Sequence, residues 1–162
     1  DFNLWPSLSK AVLIILMFIG ACAGSTGGGL KVSRFLILVK CIKRDIYRTI
    51  HPRRVKSIQM DGKHLSDAQR HGVAVYFAAF MLIFTVSFLI VSIDGFSFET
   101  NFSAVAATFN NIGPGMDVVG PMSNFAAFSP LAKIVLIFDM LAGRLEIFPM
   151  IILLSPQIWS KK

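Results

Sequence analysis

From Val73 to Ile93 the chain carries no charged side chain, and about 20 such residues in a helix are enough to cross the ~30 Å hydrocarbon core of a bilayer. Lys133 to Ser155 has a similar length, and a third apolar stretch, Ser9 to Val39, is longer but interrupted by glycines. The chain is 54% hydrophobic and 15% charged, with a mean hydropathy of +0.66, against about 25% charged residues in a typical soluble domain. These features predict an all-α integral membrane protein. The start, Asp1-Phe2-Asn3-Leu4-Trp5-Pro6, has neither an initiator Met nor the basic and apolar regions of a signal peptide, so a fragment of a longer protein is expected.

The net charge of +7 is unevenly placed: eleven of the sixteen Lys and Arg residues lie between Lys31 and Arg70. Gly72 to Ala132 has no Lys or Arg and contains Asp94, Glu99 and Asp117. Positive-inside bias accounts for this clustering and makes nucleic-acid binding unnecessary. The expected threading is N-terminus outside, first span inward, basic loop inside, second span outward, acidic stretch outside and third span inward. Cys22 and Cys41 have no disulfide or zinc spacing, and His51, His64 and His71 have no metal-ligand spacing.

Between the second and third spans, Glu99 to Phe109 is apolar but too short to cross, the length of a re-entrant helix. Entering from outside, its C-terminal end would carry partial negative charge into the membrane and favour a cation. Thr108-Phe109-Asn110-Asn111-Ile112-Gly113-Pro114-Gly115 follows. Pro114, with a glycine on either side, forces the chain out of helical geometry at Asn111 to Gly113. At membrane depth such backbone must be buried in protein or line a water-filled path, where its carbonyls can replace a cation's hydration shell. The plainer alternative is an interfacial helix ending in an ordinary turn.

Gly24-Ser25-Thr26-Gly27-Gly28-Gly29-Leu30-Lys31 breaks the first apolar stretch. As one straight helix, Ser9 to Val39 would be roughly 46 Å long, and three successive glycines cost about 1 kcal/mol each in a helix. The segment lacks the Gly-Lys-Ser/Thr of a phosphate-binding loop. Close helix packing through Gly20, Gly24 and Gly28 is the competing explanation. Arg144 falls midway along the third span, where a bare Arg costs at least ~3 kcal/mol. Asp139 and Glu146 share a helix face, from which Arg144 lies some 140–160° away, so its partner is expected on another segment, as a gate or in an interhelical ion pair. Pro149 should kink the helix nearby.

Four segments in order, Gly24 to Lys31, Tyr47-Arg48-Thr49-Ile50-His51-Pro52, Thr108 to Gly115 and Gly143-Arg144-Leu145-Glu146-Ile147-Phe148-Pro149, closely resemble the membrane subunit of bacterial Trk potassium uptake systems, in the Trk/Ktr/HKT superfamily. The resemblance covers nearly the whole chain. It implies four helix/pore-helix/filter/helix repeats around one pore, of which this chain would hold the last one and a half. Residues 1–40 would be the second helix of repeat three with its intramembrane loop at 24–31, 41–72 a basic cytoplasmic loop, and 156–162 a cytoplasmic tail. Repeat four would fill 73–155, with a helix at 73–93, a pore helix at 99–109, the filter at 110–115 and a helix at 133–155.

The resemblance further implies potassium uptake across the bacterial cytoplasmic (inner) membrane by a multi-pass protein. Asn110, Asn111, Ile112 and Gly113 would form one quarter of the filter, with potassium at Asn111, Ile112 and Gly113 and support from Thr108, Pro114 and Gly115. Gly24, Ser25, Thr26, Gly27, Gly28 and Gly29 would form the gate together with Arg144. Also implied are a homodimer and a cytosolic regulatory subunit that binds ATP or NAD; no covalent cofactor and no catalytic residues are expected. The alternative is a non-transporting membrane scaffold with glycine-mediated packing, its basic loop binding anionic lipid or a cytosolic protein. An enzyme is a distant third, because Asp139 and Glu146 lack a nucleophile, base or cofactor motif beside them.

Overall fold

The structure is a computed structural model that describes residues 1–22, 28–54, 57–60 and 62–145 and the single positions 147, 149 and 152. Its described residues form five α-helices, α1 (Ser7–Phe18), α2 (Val32–Ile50), α3 (Asp67–Val91), α4 (Phe98–Phe109) and α5 (Pro130–Leu145). A short hairpin, β1 (Gln59–Met60) and β2 (Lys63–His64), joins α2 to α3, pairing Gln59 with His64. The architecture is all-helical and membrane-type. Asp67–Asp94 is the stretch among the described residues that is long and apolar enough to cross a membrane.

The glycine-rich stretch does break the first apolar segment. The helix α1 stops at Phe18 and α2 starts at Val32, while Gly20 N–H donates to the Leu30 carbonyl (2.9 Å) and Val32 N–H to the Ala21 carbonyl (3.3 Å). These bonds pinch the two ends of the break together. A β-carbon on Gly20 would stand 2.7 Å from the Gly28 carbonyl oxygen, so these two glycines meet each other within the break. Beyond it, α2 continues through the basic stretch to Ile50.

Local signals set the next two helices. Ser66 and Gln69 form a reciprocal capping box at the start of α3, and the Ser97 hydroxyl accepts from Thr100 N–H at the start of α4. Short as it is, α4 is buried at Thr100, Asn101 and every position from Ser103 to Phe109. A helix enclosed this fully sits inside a bundle. Its small residues Ser103, Ala104, Ala106 and Ala107 let α3 and α5 approach. Aromatic contacts fasten it to its neighbours, with ring centroids 5.3 Å apart for Phe102 and Phe84, 4.5 Å for Phe109 and Phe80, and 6.1 Å for Phe102 and Phe18 of α1.

Candidate functional site

The chain leaves α4 through a left-handed helix cap. Asn110 is the cap residue and Asn111 takes φ +54°, which asparagine tolerates because its short amide side chain can hydrogen-bond locally. Asn111 N–H donates to the Thr108 carbonyl (3.0 Å) and Ile112 N–H to the Ala107 carbonyl (2.8 Å), the paired bonds of a Schellman ending. The chain has reversed within three residues, and it then runs back beside α4.

Two amide side chains hold the turn. The Asn111 amide donates to the Met140 carbonyl of α5 (3.1 Å), and the buried Asn110 amide donates to the Ala106 carbonyl (2.8 Å). Thr108 turns its hydroxyl back to the carbonyls of Ala104 and Val105 at 2.8 and 3.1 Å. Beyond the turn, Ile112, Gly113 and Pro114 are exposed and Gly113 has φ +109°. No donor among the described residues bonds the carbonyls of Asn111 to Pro114. The exposed side opens on a cleft of about 560 Å³, walled by Ile112 and Gly113 and by apolar residues such as Ala107, Leu136, Ile137 and Met140.

The second anchor lies at the far end of the segment. Gly115 N–H donates to the Val119 carbonyl (2.7 Å) and Met116 N–H to the Ser103 hydroxyl (2.8 Å). One carboxylate oxygen of Asp117 accepts from Thr100 (2.6 Å) and from Ser97 (2.7 Å). These hydroxyl bonds, Thr100 first, hold the Asp117 carboxyl below the usual carboxylate range. Asn3 grips the Asp117 backbone from both sides, its carbonyl accepting Asp117 N–H (2.9 Å) and its amide donating to the Asp117 carbonyl (3.3 Å). Sequence reasoning read Asp117 only as one more acidic residue of the outer stretch, because Ser97 and Thr100 lie far from it along the chain and no motif links the three.

The glycine break meets the turn directly. A β-carbon on Gly28 would lie 2.9 Å from the Asn110 carbonyl oxygen, and one on Gly29, with φ +80°, 2.6 Å from Asn110 Oδ1. Gly143 of α5 lies against the Phe109 carbonyl oxygen, more closely than any side chain allows. Thus Gly28, Gly29, Gly143 and Asn110 to Gly113, noted far apart in sequence, converge at the C-terminal end of α4. Gly24, Ser25, Thr26 and Gly27 lie outside the described residues, as do some of those around the expected Pro149 kink. Arg144 follows the Gly143 contact and is exposed on this chain. Asp139 points the other way, fully buried, its Oδ1 accepting from Ser87 of α3 at 2.7 Å.

Residues 1–161 match the TrkH family of cation transport proteins. The chain belongs to that family. It is 43% identical over 157 residues to the Trk system potassium uptake protein TrkH of Escherichia coli (strain K12), covering 97% of this chain and 32% of the relative. To TrkG of the same strain it is 39% identical over 160 residues, covering 98% and 32%. The crystal structure of the potassium transporter TrkH from Vibrio parahaemolyticus superposes with a TM-score of 0.84 at 43% identity, covering 96% of this chain and 33% of that one. The chain therefore spans about a third of the length of the relatives it matches.

Proposed function

We propose that this chain supplies one quarter of a potassium-selective filter and part of its gate in a Trk-type uptake protein. The observation that carries the reading is the segment from Asn111 to Pro114, whose carbonyls no described donor engages. It is held at the C-terminal end of a buried helix, where the partial negative charge of that helix end favours a cation. Four such segments around an axis would replace the hydration shell of the ion, with Asn111, Ile112 and Gly113 as its ligands. Potassium is then the substrate, and no covalent step is needed.

The gate is the glycine break together with Arg144. Contact of Gly28 and Gly29 with Asn110 supports it, because an element beneath the filter can obstruct an ion leaving it. A guanidinium at that level opposes cations electrostatically and donates hydrogen bonds to carbonyls. The apolar cleft beside Ile112 suits a helix of another repeat better than a hydrated ion. The surrounding assembly is a multi-pass homodimer in the bacterial inner membrane, with a cytosolic subunit binding ATP or NAD against the basic inner surface.

Rubidium uptake into vesicles carrying the full-length protein, with its cytosolic subunit supplied, tests this reading. Uptake suppressed by potassium and weakly by sodium is expected. Folded protein that moves neither ion would instead favour a scaffold whose glycines serve helix packing.

A further inference from the structure

The filter segment is tied at both ends and bare in the middle. At its inner end, Asn110 and Asn111 are anchored to Ala106 and Met140. At its outer end, Met116 is anchored to Ser103, and Asp117 to Ser97 and Thr100. Between the two anchors, Ile112 is held through its N–H alone, to the Ala107 carbonyl, and Gly113, Pro114 and the carbonyls from Asn111 to Pro114 have no bond among the described residues. The spacing of carbonyls along an unsupported stretch is fixed by where its ends are held. We propose that Asp117 is a positioning residue for ion selectivity: latched to Ser97 and Thr100 and gripped by Asn3, it sets the tension and spacing of the carbonyls from Asn111 to Gly113. This deepens, and rests on, the filter reading above.

Three features of the latch support this role. Both hydroxyls converge on one carboxylate oxygen at 2.6 and 2.7 Å, the short distances of charge-assisted bonds. Ser97 caps, and Thr100 lies in the first turn of, the same helix whose C-terminal end leads into the filter, so the latch closes the segment onto its own rigid helix. Asp117 also has φ +57°, a left-handed backbone uncommon outside glycine but open to aspartate, and the two Asn3 bonds hold it there. Asn3 precedes α1, so the entry to the first helix is joined to the outer end of the filter.

The test is rubidium uptake by the full-length protein, with sodium and potassium as competitors, in wild type, Asp117→Ala, Asp117→Asn and Thr100→Val. Wild type establishes the filter reading by itself: without potassium-suppressed uptake, that reading and this inference both fail. Given selective wild-type uptake, Asp117→Ala is expected to keep transporting while the discrimination between potassium and sodium falls roughly tenfold, the scale of a lost hydrogen bond to a charged group. Asp117→Asn, which keeps an acceptor oxygen, should recover part of that loss, and Thr100→Val, which removes one donor with little change of shape, should show a smaller fall. Folded Asp117→Ala with wild-type discrimination would overturn the proposal. If Asp117→Ala fails to reach the membrane, Thr100→Val decides by the same criterion, and unchanged discrimination there overturns it equally.

Discussion

The carbonyl oxygen of Phe109 occupies the place where a β-carbon on Gly143 would have to sit. The last turn of α4 is thus seated on α5 by backbone contact, and the start of the turn from Asn110 to Gly113 is located by a glycine from a different helix. Gly143→Ala is expected to destabilise the folded protein by about 1–3 kcal/mol, the usual cost of overpacking a close contact. Thermal unfolding of the detergent-solubilised full-length protein measures this, and an unchanged midpoint would contradict the contact.

Gly29 meets the same end of α4 from the other side. Its φ of +80° and the nearness of Asn110 Oδ1 both oppose a side chain. Gly29→Ala should cost about 1–2 kcal/mol from the left-handed backbone alone, and more because the buried Asn110 amide is already committed to Ala106. Substitution of Gly62, which also has positive φ but nothing within 4 Å, should show the backbone cost alone. Equal losses at the two positions, read as unfolding midpoints, would count against the contact between Gly29 and Asn110.

Much of this was legible in the sequence. The apolar lengths of Val73 to Ile93 and Glu99 to Phe109 located α3 and α4 to within a few residues, apart from the capped N-terminal extension of α3 to Asp67. Asn111, Gly113 and Pro114 marked the end of α4, because Pro114 restricts the backbone while asparagine and glycine admit the left-handed conformations that end a helix. The run of glycines marked the break because successive glycines make a poor helix. What stayed hidden depends on tertiary contact: the Asp117 latch, the Asn3 grip, Ser87 on Asp139, and the meeting of Gly143 with Phe109. Periodicity carries no information about partners that lie scores of residues apart, and a lone Asp in an outer loop gives no signal of its own.

Acid should spare the latch at first. The Asp117 carboxyl is held below its ordinary value of 3.8 by Thr100 and Ser97, so its folded form keeps the charge longer than the unfolded chain does. A group of this kind contributes stability fully above the unfolded value, and the contribution is lost as pH falls through the lower folded one. The difference in unfolding midpoint between wild type and Asp117→Ala should therefore hold steady from about pH 7 to about pH 5 and shrink only below the ordinary carboxylate range. A difference that already shrinks between those two values would show that the carboxyl is not held down.

Arg144 gives a prediction of opposite sign. Under the gating proposal its positive charge raises the barrier below the filter, so Arg144→Ala should increase rubidium flux, severalfold if the barrier falls by about 1 kcal/mol, with selectivity unchanged. Flux equal to wild type in correctly folded protein would remove Arg144 from the gate and leave the ion-pair reading.

The central claim is that the backbone from Asn111 to Gly113 selects potassium, and Gly113 is where it is most directly tested. Its φ of +109° and the open space around it mean that Gly113→Asp perturbs the backbone and adds charge without a clash in the core. Rubidium uptake by the full-length Gly113→Asp protein, with potassium and sodium as competitors and folding checked by its unfolding transition, is the deciding measurement. The expected result is folded protein that has lost potassium-selective uptake; wild-type discrimination in that variant would place the filter elsewhere.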